Sequence, residues 1–147
     1  MEYRQVSLER LPEIVEVNHR IFEGMYEWLP YFFDTYQEKF AHVDPVIFVG
    51  EDRGVVVGDA IAFPREGNWY LWILGILFEY RKQGVASALL DLQERYARDH
   101  GYSKITVKVY NVSKDMLRLL LSRGYDIVAV HPHEKVKYYA VMLELIV

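Results

Sequence analysis

"LGILFEYRKQGVASALL", Leu74 to Leu90, joins an apolar run to a helical pattern through Arg81-Lys82-Gln83-Gly84-Val85-Ala86. Upstream, residues 69–78 are apolar enough for a central strand buried on both faces. Downstream, over 84–99, Val85, Leu89, Leu92 and Tyr96 form an apolar stripe, with Asp91, Glu94, Arg95 and Arg98 on the wet face. A helix start presents backbone N–H groups without internal partners and the positive end of the dipole, a site for phosphate or diphosphate. Gly84 and Ala86 keep bulky side chains off that backbone, and Arg81 and Lys82 add charge. The corner reads as a diphosphate holder. A plainer reading stands beside it: Gly84 starts a helix and Ala86 packs. No Gly-Lys-Ser/Thr follows and no Gly-x-Gly precedes, so neither a Walker A loop nor a dinucleotide fingerprint is present.

Working outward, residues 3–7 predict a strand and 9–25 a helix, with Pro12 in its first turn. A second helix is expected over about 29–42. Two β-branched runs broken at Glu51-Asp52-Arg53-Gly54 predict a hairpin, and Pro64 to Asn68 a further turn. Gly101 ends the helix that begins at 84. "KITVKVY" alternates as a strand does, and Ser113 is placed to cap a helix over 114–122 that Gly124 stops. Residues 125–131 and 136–146 predict two closing strands. The order is β-α-α-β-β-β-α-β-α-β-β, an α/β (α+β) pattern, with no internal repeat and no linker. Residues 1–147 read as a single domain.

A chain of 147 residues can bury a real core. Its net charge of −4 argues against nucleic-acid binding by phosphate neutralisation and leans mildly toward cationic substrates. The absence of cysteine excludes disulfides, thiolate chemistry and Cys-based zinc sites. No signal-peptide pattern and no window of membrane-span length is visible, so the cytoplasm is the expected location. His131-Pro132-His133 reads as an exposed turn rather than a metal site.

Arg81-x-x-Gly84-x-Ala86 resembles the Arg/Gln-x-x-Gly-x-Gly/Ala signature of the GCN5-related N-acetyltransferases. Asn111 at a strand end and Arg123-Gly124-Tyr125 after the next helix are similar to that family's Asn … Gly-Phe segment. The element order is also the family's. The resemblance implies one acetyltransferase domain with a central, mixed but mostly antiparallel sheet of about seven strands and four helices. It implies acetyl-CoA or coenzyme A as cofactor. The N–H groups of Gln83, Gly84, Val85, Ala86 and Ser87 would hold the diphosphate. The backbone of Leu74 and Ile76 would pair with the pantetheine arm, Asn111 would hydrogen-bond it, and Lys114 would reach toward the nucleotide. No metal is implied.

The sequence departs from that pattern at Phe78, where the family often has Pro. It departs at Leu120, where a Tyr is frequent, and at Trp72, where many members carry a carboxylate base. "YLWILGILFEYR" instead resembles a subset of protein N-terminal acetyltransferases. Tyr70 is the strand's titratable side chain and is expected to remove the proton, directly or by orienting a water. Tyr70, Trp72, Leu74 and Ile76 would share one face by their spacing of two.

Phe22, Tyr26, Trp28, Tyr31, Phe32, Phe33 and Tyr36 crowd one segment, core by default. With Glu23 and Glu27 among them, and Tyr138 near the last strand, they are expected to receive a cationic acceptor. The leading expectation is transfer of an acetyl group to a primary amine by direct attack in a ternary complex, with a protein or peptide amino group favoured. The alternatives are a small-amine or polyamine acetyltransferase and a non-catalytic acyl-CoA sensor. The chain is expected to act as a monomer or homodimer.

Overall fold

The computed structural model describes residues 1–27 and 31–147. Trp28 and the expected start of the second helix lie outside the described residues. Among those described, the order is β1 (Glu2–Val6), α1 (Leu11–Phe22), α2 (Phe33–Lys39), β2 (Val46–Asp52), β3 (Val55–Arg65), β4 (Asn68–Ile76), α3 (Val85–Asp99), β5 (Lys104–Tyr110), α4 (Lys114–Ser122), β6 (Asp126–His131) and β7 (Ala140–Ile146). The strands form one sheet in the order β1-β2-β3-β4-β5-β7-β6. Every neighbouring pair is antiparallel except β4–β5. Both the element order and the mixed, mostly antiparallel sheet are as the sequence predicts.

Boundaries shift for local reasons. The helix expected over 9–25 begins as a 3-10 turn, Leu8–Arg10, and its α-helical part starts where Pro12 fits the first turn. It stops at Phe22, so Met25 lies beyond it. The turn expected over Pro64–Asn68 tightens to Glu66-Gly67, both at positive φ, and β3 runs on to Arg65. Ser113 does not cap α4 with its side chain. Its hydroxyl is hydrogen-bonded to the hydroxyl of Tyr26.

Alternation along the strands builds two cores. Val46, Phe48, Ala60 and Leu71 face α3 with Leu89 and Leu90. Ile47, Val49, Ile61 and Ile73 face α1 with Ile14 and Ile21. A strand buried on both faces reads as a continuous apolar run. Helix α3 is fixed by Gln93, whose amide donates to the carbonyls of Val46 (3.1 Å) and Ala60 (3.0 Å) and accepts from Trp69 Nε1 (3.0 Å). Glu94, expected on the wet face, is buried instead. It accepts from Arg123 Nη2 at 2.9 Å and from the Tyr125 hydroxyl at 2.9 Å, joining α3 to the end of α4.

One irregularity positions everything that follows. Ile61 pairs with Ile73 but Ala62 with Leu71, so Trp72 is the extra residue of a β-bulge. Trp72 and Ile73 therefore pack in succession toward α1 and α2. Leu74 and Ile76 turn to the α3 side, where Trp69 and Leu71 already point. The single face expected for Tyr70, Trp72, Leu74 and Ile76 is thus corrected: the bulge breaks the period of two. Gly75 then faces α1, where a Cβ would stand 2.9 Å from Phe22 Cζ.

Candidate cofactor and acceptor cleft

Beyond the bulge the sheet opens. Strand β4 pairs with β5 only over Trp69–Leu71, against Ile105–Val107. Past Leu71 the two parallel strands part, and a cleft of about 870 Å³ lies between them. It runs from the start of α3, along Leu74–Ile76, to an aromatic end at Tyr31, Tyr70 and Trp72.

The α3 end is built from backbone. Lys82 (φ 62°) and Gly84 (φ 83°) are both left-handed, so the chain turns sharply into α3. The first helical bond is Ala88 N–H to Gly84 O at 3.0 Å. Among the described residues, the N–H groups of Lys82 to Ser87 donate to no backbone carbonyl. An unpartnered row of donors at a positive helix end fits a diphosphate. Gly84, Val85, Ala86 and Ser87 all line the cleft, as do Leu74, Ile76, Arg81, Lys82 and Lys114. A Cβ on Gly84 would meet nothing within 4 Å, so the glycine is required by its positive φ rather than by crowding within the protein.

Several side chains of the expected set have partners inside the protein. Arg81 Nε donates to the Ile76 carbonyl at 3.2 Å, which pins the end of β4 to the loop. Gln83 Nε2 donates to the Glu79 carbonyl at 3.1 Å, and the side chain is not in the lining. Asn111 is also outside the lining. Its Nδ2 donates to the Val136 carbonyl at 3.2 Å and its Oδ1 accepts from Lys114 Nζ at 2.5 Å. In this arrangement Asn111 ties the end of β5 to the turn before β7.

At the other end, Tyr31 stacks on Trp72 with centroids 5.6 Å apart, and Tyr70 packs edge-on against Phe63 at 5.6 Å. Tyr70 is buried, with its ring in the cleft wall. The Tyr31 phenol is pushed up by burial and then by neighbouring Tyr110 and Tyr70. Tyr26 lies in the same wall, also pushed up by burial against the opposing hydrogen bond from Ser113. Lys39, Arg65 and Lys108 complete this end. The sequence reading did not single out these cations or Tyr110. Each looks locally like a solvated residue of a helix, turn or alternating strand, and only the sheet brings them together.

Glu23, Glu27 and Tyr138 do not line the cleft. Glu23 is exposed after α1. Glu27 pairs with Lys135, whose hydrogen bond holds its carboxyl low. Tyr138 is buried, its ring 6.2 Å from that of Tyr26. Of the segment expected from the sequence to receive the acceptor, Phe22, Tyr26 and Tyr31 line the cleft, and Glu23 and Glu27 lie outside its lining. Leu120, fully buried, contributes apolar floor.

A parallel pair that parts at a bulge, beside a helix start with unpartnered donors, makes a cleft able to take an extended ligand with a diphosphate at one end. The model of the acetyltransferase (GNAT) family matches residues 11–125, and the chain belongs to that family. Human N-acetyltransferase 8B is 33% identical over 84 residues, covering 53% of this chain and 37% of that protein. The match thus spans well under half the length of that curated relative. Among solved structures, the ribosomal-protein-S18-alanine N-acetyltransferase of Escherichia coli superposes with a TM-score of 0.79 at 16% identity, covering 99% of this chain and 94% of that one. The PaiA N-acetyltransferase of Thermoplasma acidophilum, solved in complex with coenzyme A, gives a TM-score of 0.71 at 14% identity, covering 97% and 98%. Acetyl-CoA or coenzyme A, expected from the sequence, is the cofactor that this family membership supports. No described helix is long and apolar enough to cross a membrane.

Proposed function

We propose that residues 1–147 act as one N-acetyltransferase domain that moves an acetyl group from acetyl-CoA to a primary amine in a ternary complex. The observation that carries this reading is the continuity of the cleft: one space joins the free N–H groups at the start of α3 to the tyrosines at the bulge. The N–H groups of Gln83 to Ser87 hold the diphosphate, with Lys82 and Lys114 supplying charge. The edge of β4 at Leu74 and Ile76 pairs with the extended arm as an added strand would, which leaves the reacting carbonyl near the bulge. There a backbone N–H of the parted strand serves as the oxyanion donor.

The amine nitrogen bonds to the carbonyl carbon as the carbon–sulfur bond breaks. When acetyl-CoA is bound its sulfur would leave as thiolate and take up the second N–H proton of the attacking amine, giving the free thiol. The ammonium proton must already have been lost. Tyr70 takes or relays that proton, since its ring lines the wall where the amine arrives. The apolar residues at Leu119 and Leu120 exclude water from the sulfur. A peptide or amino-acid-like amino group is favoured as acceptor. A polyamine is disfavoured, because Lys39, Arg65 and Lys108 would repel its second cation. The test is release of free thiol from acetyl-CoA with a panel of amines. The expected result is amine-dependent release that saturates in both substrates. Coenzyme A binding with no transfer to any amine would favour the sensor reading instead.

A further inference from the structure

The acceptor end of the cleft carries three cations, each set over an aromatic ring. Lys39 Nζ lies 5.4 Å from the Trp72 ring centre, the Arg65 guanidinium carbon 4.8 Å from that of Tyr70, and Lys108 Nζ 5.4 Å from that of Tyr110. All six residues line the same cleft. The cations come from α2, β3 and β5, so the sheet and helix converge them. Lys39 is held low by burial first, then by Arg65 and Lys108, so the three are close enough to feel one another. Among the described residues none of them forms an ion pair. The lining carboxylate, Asp115, sits at the cofactor end and is already paired with Lys82 and Arg118.

Three uncompensated cations are an unusual feature in a chain of net charge −4. Converging cations cost stability unless something negative completes them. The cofactor's phosphates are accounted for at the far end. We infer that Lys39, Arg65 and Lys108 form a carboxylate subsite for the acceptor, so that the amine substrate of this domain carries a carboxylate and an apolar body.

The apolar body follows from Tyr31 stacked on Trp72, the bulge residue, a flat wall in the same lining as the cations. The same charges serve the chemistry. A positive field disfavours the ammonium form of an incoming amine, and only the neutral amine attacks. The carboxylate thus draws in a substrate whose amino group the site deprotonates more readily. This inference deepens the acetyltransferase reading and rests on it for the word acceptor. The subsite itself can be tested apart from catalysis.

The probes are N-acetyl-L-phenylalanine, N-acetyl-L-phenylalaninamide and the dipeptide amide N-acetyl-Asp-Phe-NH2. Each is titrated calorimetrically into the protein, with and without coenzyme A. The inference expects at least one of the two carboxylates to bind about 10-fold or more tighter than the phenylalaninamide, in the range of a charge-assisted hydrogen-bonded contact. Preference for the first assigns the subsite to a free α-carboxylate, and preference for the dipeptide to an acidic peptide. Arg65→Gln with Lys39→Gln should erase the preference while coenzyme A affinity holds. Equal affinity for all three probes, binding of none, or a preference that survives the double variant overturns the inference. If the preference is present but coenzyme A does not bind, the carboxylate subsite stands and the acetyltransferase reading falls.

Discussion

At the scale of single residues, the proposed function rests on two positions. Tyr70 lines the cleft beneath the Arg65 guanidinium. Tyr70→Phe removes one oxygen and keeps the ring packed on Phe63. It is expected to lower kcat by about 100-fold or more, the usual range of general acid–base effects, with coenzyme A affinity unchanged. Steady-state kinetics with saturating acetyl-CoA checks this, and a parental kcat would return Tyr70 to a packing role. Gly84 is the second. At φ 83° any side chain costs about 1–2 kcal/mol. Gly84→Ala meets that cost alone, whereas Gly84→Glu also sets a carboxylate beside the free N–H groups. Ligand at a hundredfold excess over its dissociation constant stabilises the parent by about 2.7 kcal/mol. Gly84→Glu should lose the corresponding melting shift and Gly84→Ala should keep most of it. Equal shifts in both variants would place the diphosphate elsewhere. The Arg81-x-x-Gly84-x-Ala86 loop was legible in the sequence because its chemistry is local: φ, charge and helix start are properties of neighbours in the chain. Lys39, Arg65 and Lys108 were not, since their meaning arises from a convergence across elements distant in sequence.

At the scale of elements, β4 and α3 decide the geometry. The strand was predicted as a buried apolar run, and it is one. Its bulge was not predicted, because an extra residue leaves no mark on composition and shows only as a register against β3. The consequence is large: the same nine residues turn Trp72 and Ile73 toward α1 and α2, and Leu74 and Ile76 toward α3, while Tyr70, Trp72, Leu74 and Ile76 all line one cleft. For α3, the period of the apolar residues gave the helix and most of its face. It misplaced Glu94, because a carboxylate reads as exposed until Arg123 and Tyr125 are seen to meet it. Gln93 is the comparable case in the core. Gln93→Ala would leave Trp69 Nε1 and the carbonyls of Val46 and Ala60 without their partner inside the protein. The expected loss is about 2–4 kcal/mol by urea denaturation, since buried groups left unpaired bear their desolvation cost in full. A loss below about 1 kcal/mol would show that water replaces the amide at little cost.

At the scale of the whole molecule, one buried acid ties the helices to the sheet and sets a pH dependence. Asp59, in the middle of β3, is fully buried, and Asn18 of α1 donates to its Oδ1 at 3.1 Å. The same amide donates to the Tyr36 hydroxyl of α2 at 3.1 Å, so three elements meet at one side chain. Among the described residues, Asp59 Oδ2 and Asn18 Oδ1 have no hydrogen-bond partner. Burial pushes the Asp59 carboxyl up to about 8, against the opposing hydrogen bond from Asn18. The sign of the linkage follows. Unfolded, the carboxyl loses its proton near 4, whereas folded it keeps it to about 8. Between those values the native state binds the extra proton, so stability falls as pH rises, by up to about 1.4 kcal/mol per pH unit from this group. Below about 4 both states are protonated, above about 8 neither is, and the contribution is flat outside the window. Asp59→Asn keeps an oxygen for Asn18 to donate to and removes the titration. Urea midpoints for the parent and the variant at pH 5, 6.5 and 8 isolate the effect, because every other titrating group is common to both. The expected outcome is a variant that gains on the parent steadily from pH 5 to pH 8. Parallel pH profiles would show that Asp59 carries the same protonation folded and unfolded, and that the junction of α1, α2 and β3 holds a charged carboxylate.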